Sequence, residues 1–276
     1  MRPNGIRLGC CASLGSSYGF GGFRTYCDTI AEHPAGWTGD ELGEMVRRVK
    51  DCGFEEVVPW TDYPPGEILP ADPESAPLAA EDAKASFLKR VKSFVNLAHA
   101  EGVRVQLYFA IGTGLMAARK THEDGTQRLH VNELGATYPQ CATRDRQGSS
   151  SLDLVRGGEE ELAFASLGFP EVRRWIAEWV VGMVAATGAD GLQLEPVSTR
   201  LDESGAGPHG YDEPIISSFN RRYGRDPRSL PNDDREWVDH RCEFTTQMLR
   251  EVRRRVDDLG RPVELSVQCH NLKTDS

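Results

Sequence analysis

Short strand-like runs alternate with longer helical runs along the chain, and this order constrains the fold more than any other feature of the sequence. Five apolar runs are predicted as strands, at residues 6–11, 54–60, 103–110, 192–197 and 263–269. Amphipathic runs are predicted as helices, over residues 41–53, 81–101, 212–223 and 234–259 and in the stretch that Pro170 opens. Connections that contain a helix join parallel strands. The order therefore predicts an α/β fold.

Polar and apolar side chains alternate in the later strands, and this pattern distinguishes two α/β architectures. The strands of an open doubly wound sheet are covered on both faces and read as continuous apolar runs. Here every second position is polar: Arg104, Gln106 and Tyr108, then Gln193 and Glu195, then Glu264, Ser266, Gln268 and His270. Half-exposed antiparallel strands show the same alternation, but the helical connections argue against them. We therefore predict a (β/α)8 TIM-barrel type, apparently incomplete, with about five βα units present.

The chain carries a formal net charge of -10 at pH 7. A surface of this sign repels phosphate backbones and anionic lipid, so we expect no nucleic acid and no membrane as a partner. No run reaches the roughly 18 apolar residues of a membrane span. The amino terminus also lacks the apolar core of a secretory signal, which predicts a cytoplasmic protein. The oligomeric state is not predicted.

Cysteine spacing and one glycine motif are the features that bear on cofactors. The seven cysteines lack the spacing of a metal site, and we interpret them as buried free thiols. Gly112, Gly114 and Ala117 follow a predicted strand, as in a dinucleotide fingerprint. The residues after them contain neither a helix-length apolar stripe nor a second strand ending in an acid. We therefore expect no metal and no cofactor, and an NAD-dependent enzyme remains an alternative.

Candidate site residues lie where the predicted strands end, because barrel enzymes act at the carboxyl ends of their strands. These positions hold aromatic rings, carboxylates, amides and cationic or imidazole groups: Trp60, Asp62, Tyr63, Tyr108, Gln193, Glu195, Arg200, His270 and Asn271. Aromatic faces stack on the CH-rich faces of sugars, and polar groups pair with hydroxyls. The set predicts a carbohydrate as the substrate. The polar stretch between the third strand and Phe169 is interpreted as an active-site loop, because it is longer than a plain connection.

Glu195 is the candidate catalytic residue, since its strand parity places it inward with Gln193 and a carboxylate there can act as acid, base or nucleophile. A structural ion pair with Arg200 is the alternative for Glu195. Ordinary core packing is the alternative for Trp60, and a hydrogen-bonding fixture is the alternative for His270. Asp190 precedes its strand, so we assign it to the turn rather than to the chemistry.

The ordered motifs IRLGCC, FEEVVPW, VRVQLYF, RDRQG, FPEVRRW, GADGLQLEPV and DEPIISSFNRRYGRDP resemble those of bacterial family-10-like glycosyl hydrolases. The resemblance covers roughly residues 6–271. It implies a TIM-barrel glycosidase with an acidic catalytic residue closing the fourth strand, the position of Glu195. Members of that family often carry Asp at this position.

Glycoside hydrolysis normally uses two carboxylates, and the sequence provides a candidate for only one of them. Related barrel glycosidases often take the second from a late strand. We therefore expect residues 1–276 to form a single barrel domain, truncated at the carboxyl terminus, which lacks the partner carboxylate. An inactive fragment is one alternative. A noncatalytic carbohydrate-binding barrel is another, because it needs the same aromatic and polar residues without bond cleavage.

Overall fold

Parallel strands separated by helices dominate the computed structural model, which describes residues 9–13, 39–60, 76–109, 115–121, 127–131, 133–159, 162–194 and 210–267. The strands of these residues are β1 (Gly9–Ser13), β2 (Glu56–Trp60), β3 (Arg104–Phe109), β4 (Leu115–Thr121), β5 (Gln127–Val131), β6 (Leu162–Phe164), β7 (Gly191–Leu194) and β8 (Glu264–Val267). The helices are α1 (Gly39–Asp51), α2 (Ala76–Ala100), α3 (Glu133–Thr137), α4 (Ser151–Gly157), α5 (Pro170–Thr187), α6 (Glu213–Tyr223) and α7 (Arg235–Asp257). Short 3₁₀ turns lie at Pro139–Cys141 and Pro227–Ser229.

The main sheet has the order β1-β2-β3-β7-β8, and every neighbouring pair is parallel. The strands thus follow one another in sequence order without reversal. Right-handed crossovers that always advance in one direction place their helices on one face of the sheet. A doubly wound sheet would reverse its order at a switch point. The sheet is therefore of the (β/α)-barrel type, as the alternation of polar and apolar residues predicts.

The helices α1, α2, α5 and α7 form one layer, in which each helix contacts the next. One hydrophobic cluster joins this layer to the alternate strand residues that face it. Those strand residues are fully buried and apolar: Val57, Val105, Leu107, Phe109, Leu192 and Leu194. In α5, Val172, Ile176, Val180 and Val184 are buried at helical spacing, as predicted. The core therefore lies between the helices and the apolar face of the sheet.

The part of the chain between β3 and α5 contains a second, antiparallel sheet of order β5-β4-β6. We call residues 115–164 the insert. The prediction of a loop for this stretch was wrong, because much of it forms strands and helices. The sequences of β4 and β5 carry little apolar periodicity, so the sequence alone gives little indication that they form strands. Met116, Leu134, Leu152, Val155 and Ala163 of the insert belong to the same hydrophobic cluster as the sheet.

Several predicted boundaries shift. The first strand is Gly9–Ser13 rather than 6–11, and α2 begins at Ala76 rather than near residue 81. The cysteine prediction was only partly right: Cys141 is buried, but Cys52 and Cys242 are exposed. None of the helices in the described ranges combines the length and hydropathy needed to cross a bilayer.

Candidate functional site

One row of residues crosses the five parallel strands near their carboxyl ends. The strand register aligns Ser13 with Trp60, Trp60 with Tyr108, Tyr108 with Gln193, and Gln193 with Ser266. Tyr108, Gln193 and Ser266 are in register on neighbouring parallel strands and project from the same face of the sheet. This face is opposite the one that packs on the helices, and we call it the inner face. The register thus places the aromatic residues Trp60 and Tyr108 in one row with the polar residues Gln193 and Ser266.

Gln106 connects Ser266 of this row to Glu56 at the start of β2. Gln106 is 4% exposed, and its Oε1 atom accepts a hydrogen bond from the Ser266 hydroxyl at 2.9 Å. The amide Nε2 donates to Glu56 Oε2 at 3.2 Å. The strand β7 lies between β3 and β8, and Gln106 reaches Ser266 across it at Gly191. The polar side chains of β3 and β8 thus converge on one side of the sheet, as their alternation predicts.

Residue 191 is a glycine because atoms of Glu264 and Gln106 occupy the space that a side chain would need. A Cβ atom there would lie 2.8 Å from the Glu264 carbonyl oxygen and 3.0 Å from Gln106 Cγ. Both distances are too short for an undisturbed carbon atom. The glycine therefore allows Gln106 to cross the strand and bond to Ser266.

An ionic cluster occupies the amino ends of the same strands. Arg104 Nη2 lies 3.0 Å from Glu264 Oε2, and Arg104 Nε lies 3.8 Å from Glu56 Oε2. Because these residues begin β3, β8 and β2, the cluster lies at the end of the sheet where barrels carry stabilising residues rather than catalytic ones. The sequence predicts Arg104 and Glu264 on the polar face of the sheet, but the prediction missed Glu56. The polar Glu56 precedes the apolar Val57 in the strand FEEVVPW, and this alternation could have indicated its place on the same face.

The predicted site residues divide between described and undescribed parts of the chain. Tyr108 is 5% exposed and Gln193 is half-buried, and both lie on the inner face. Trp60 ends β2 and is in register with Tyr108, although its side chain lies outside the described part. The remaining predicted residues also lie outside it: Asp62, Tyr63, Glu195, Arg200, His270 and Asn271. The register therefore brings together three of the nine, and Glu195 follows directly after Leu194, the last residue of β7.

Asp190 has the structural role that its position predicts. Its Oδ2 atom accepts from the Val105 backbone N–H at 2.8 Å and lies 2.9 Å from His99 Nε2. Its backbone N–H donates to the Val105 carbonyl, and its own carbonyl accepts from Glu264 N–H. The residue thus ties β3, β7 and β8 together at their amino ends.

Asp212 is a buried carboxylate that sequence reasoning missed. It precedes α6, is 1% exposed, and accepts from the Arg144 backbone N–H at 2.6 Å and the Thr143 hydroxyl at 3.4 Å. Burial raises the pKa of Asp212 to about 6, against the opposing effect of hydrogen bonds from Ser166, Arg144 and Thr143. The Asp-Glu-Pro start of a helix was the available sequence signal. Burial among insert residues could not be read from it.

A serine–histidine pair between α6 and α7 is structural. The Ser218 hydroxyl lies 2.6 Å from His240 Nε2, while His240 Nδ1 is 3.9 Å from Glu243 Oε2, too far for a hydrogen bond. Burial lowers the pKa of His240, which packs against the rings of Phe219, Trp237 and Phe244. The geometry is that of a packed core histidine joining two helices rather than of a hydrolytic triad.

The described residues bear on metal and dinucleotide binding as well. Within those ranges no group of three His, Cys, Asp or Glu side chains is placed to hold a metal ion. Directly after Gly114 the chain forms the strand β4, where a dinucleotide fingerprint would open a helix. The glycine motif thus lacks the helix N-terminus that binds a pyrophosphate.

Solved structures of glycoside hydrolases are similar to this chain at low identity. They include the alpha-galactosidase from Lactobacillus brevis (10% identity, TM-score 0.47), the maltogenic alpha-amylase AmyB from Thermotoga neapolitana (15%, 0.45) and the PgaB (BpsB) glycoside hydrolase domain from Bordetella bronchiseptica (16%, 0.47). The matches cover 95%, 96% and 95% of this chain, but only 26%, 46% and 65% of those three chains. None of the curated protein sequences matches significantly.

A family model described as glycosyl hydrolase-like 10 matches residues 77–274. The matched region contains most of the described sheet: β3, the insert, β7 and β8. It covers well over half of the chain. The chain therefore belongs to the glycosyl hydrolase-like 10 family.

Proposed function

We propose that this protein hydrolyses O-glycosidic bonds of an oligosaccharide or polysaccharide, with Glu195 as the general acid/base. Membership of a glycosyl hydrolase-like family supports the reaction class. The observation that carries the proposal is the row of Trp60, Tyr108, Gln193 and Ser266, which gathers aromatic and polar residues near the carboxyl ends of the strands. Barrel enzymes bind their substrates at that end.

The role of Glu195 follows from its place in the chain. It comes two residues after Gln193, which lies on the inner face, and it follows the last residue of β7 directly. A protonated carboxyl there donates its proton to the glycosidic oxygen as the bond to the leaving group breaks, and the resulting carboxylate can then accept a proton from water.

The sugar contacts are assigned by chemistry. Trp60, Tyr63 and Tyr108 would line the sugar subsites, because aromatic rings match the CH faces of pyranoses. Asp62, Gln193, Arg200, His270 and Asn271 would pair with hydroxyl groups. Tyr108 is 5% exposed, so only a small part of its side chain is available to a sugar.

Carbohydrate binding without cleavage is the second candidate, and one observation favours it. On the inner face of the described strands, the carboxylates Glu56 and Glu264 lie at the amino ends, away from the row formed by Trp60 and its neighbours. Hydrolysis needs a second carboxylate beside Glu195. A barrel without that partner would still bind a sugar.

Two assays separate the candidates. Release of reducing ends from a panel of α- and β-linked oligosaccharides measures cleavage, and titration calorimetry with the same sugars measures binding. We expect turnover by the unaltered protein, its loss in Glu195→Gln, and retained sugar binding in that variant. Glu159→Gln, at an exposed position of the insert, is the matched control and should leave turnover unchanged. Saturable binding without cleavage supports the binding barrel, and full activity of Glu195→Gln removes that residue from the mechanism.

A further inference from the structure

The insert is bound to the start of α6 by a group of hydrogen bonds. Gly210 N–H and Tyr211 N–H both donate to the Arg144 carbonyl at 3.0 Å. In return the Arg144 N–H donates to Asp212 Oδ1 at 2.6 Å. Arg146 Nη2 adds bonds to the Tyr211 hydroxyl at 2.9 Å, to the Leu230 carbonyl at 2.8 Å, and to Asn232. We call the contact between Arg144 and residues 210–212 the junction.

The Asp212 carboxylate lies at the centre of the junction without a cation beside it. Among the described residues no ion pair includes Asp212, and the Arg144 guanidinium donates to the Gly148 carbonyl instead. The partners of the carboxylate are the neutral donors Arg144 N–H, Thr143 and Ser166. A buried charge without a counter-ion is costly, because neutral donors replace only part of its hydration.

We propose that Asp212 is a proton-operated latch: the junction opens more readily when this carboxylate is ionised than when it is protonated. Opening returns the carboxylate to water, which favours the charged form. Protonation removes the cost of burying the charge, and the neutral carboxyl can still accept from Arg144 N–H. The junction therefore closes more firmly on acidification.

The sign and size of the effect follow from linkage. Burial raises the pKa of Asp212 from 3.8 to about 6 in the closed junction. The closed form is therefore most stable below the ordinary pKa of the carboxyl, and it loses stability as the pH rises through 6. A difference of about two pKa units makes the opening equilibrium about 100-fold more favourable at high pH, with roughly 50-fold of this change between pH 4 and pH 7.

Other charged and titratable groups lie on the elements that meet at the junction: Cys141, Arg144, Asp145, Arg146, Glu171 and Glu213. Cys141 bonds to Glu171 at 3.7 Å, and burial raises the pKa of its thiol to about 12, so it stays neutral across this range. The proposal concerns only the contact between the insert and the start of α6, and it holds whether or not the proposed hydrolysis occurs.

Amide hydrogen exchange of Arg144, Gly210 and Tyr211 tests the latch in the unaltered full chain. After correction for the intrinsic rate, we expect their protection factors to fall about 50-fold from pH 4 to pH 7, because protection reports local opening. Asp212→Asn should abolish this dependence, since the amide keeps an acceptor for Arg144 N–H but has no charge. Asp145→Asn is the control, at a carboxylate that accepts from Ser149 N–H in the same segment, and should preserve the dependence.

Protection factors that are flat with pH in the unaltered protein overturn the proposal, and so does an unchanged dependence in Asp212→Asn. If that variant does not fold, carbon-13 titration of the Asp212 carboxyl in the unaltered protein decides. A midpoint near pH 6 supports the latch, and a midpoint at or below the ordinary value of 3.8 overturns it.

Discussion

Replacing Gly191 with alanine tests the packing of the inner face. The added methyl group would meet the Glu264 carbonyl oxygen at 2.8 Å and Gln106 Cγ at 3.0 Å. The first contact is with backbone and cannot be relieved by a side-chain rotation. The second displaces Gln106, and we expect this displacement to cost its hydrogen bond to Ser266. The substitution is therefore expected both to strain the contact between β7 and β8 and to disrupt the hydrogen bonds of Gln106 with Glu56 and Ser266.

The expected cost is the sum of two effects. Overpacking a tightly filled site costs about 1–3 kcal/mol. Loss of the Gln106–Ser266 hydrogen bond adds about 1 kcal/mol. We therefore expect Gly191→Ala to lower the free energy of unfolding by about 2–4 kcal/mol, a large part of the stability of a typical domain.

Urea-induced unfolding, followed by tryptophan fluorescence, measures this free energy. Gly182→Ala is the matched control, because a Cβ atom at that exposed position of α5 meets nothing within 4 Å. It should stabilise the protein by about 0.5–1 kcal/mol, since alanine favours a helix interior over glycine. Adding Gln106→Ala to Gly191→Ala should restore only part of the loss, because the backbone contact remains. A Gly191→Ala protein as stable as the unaltered one refutes the proposed packing.

Three further predictions concern single side chains. Asp212→Asn should raise the free energy of unfolding at pH 7 by up to about 3 kcal/mol, because it removes the buried charge. The gain should vanish below pH ~4, where the carboxyl of the unaltered protein is protonated and uncharged as well. Urea titrations at both pH values measure the gain, and equal gains at both would contradict the assigned pKa. Asp234→Ala should cost about 1 kcal/mol in the same assay, because the Asp234 side chain caps α7 by accepting from Trp237 N–H at 3.0 Å. Asp234→Asn, which keeps an acceptor, should cost less, and equal losses would argue against capping. Glu195→Gln should abolish release of reducing ends without changing the unfolding midpoint, whereas a lower midpoint would assign the residue a structural role.

The alternation of polar and apolar residues along the last three predicted strands was sufficient to predict which side of the main sheet is polar. Because successive side chains of a strand point to opposite faces, the pattern of Gln106, Gln193 and Ser266 determined which face is polar before any partner strand was known. Helical spacing likewise identified α5, with its buried stripe from Val172 to Val184. These features depend only on the geometry of a single strand or helix, so the order of residues within one segment is enough to predict them.

Tertiary structure decided the features that depend on neighbours distant in the sequence. The strand β4 pairs not only with β5 but also with β6, which follows α3 and α4 in the chain. Since the residues of β4 contain little strand signal by themselves, the sequence predicts a loop there. The reason for glycine at residue 191 is the approach of Gln106 and Glu264, which belong to two other strands. Asp212 reads as an ordinary helix start, and only the packing of Thr143 and Arg144 against it creates a buried charge. Burial and close contact are properties of the assembled chain, because both are set by which segments meet in space.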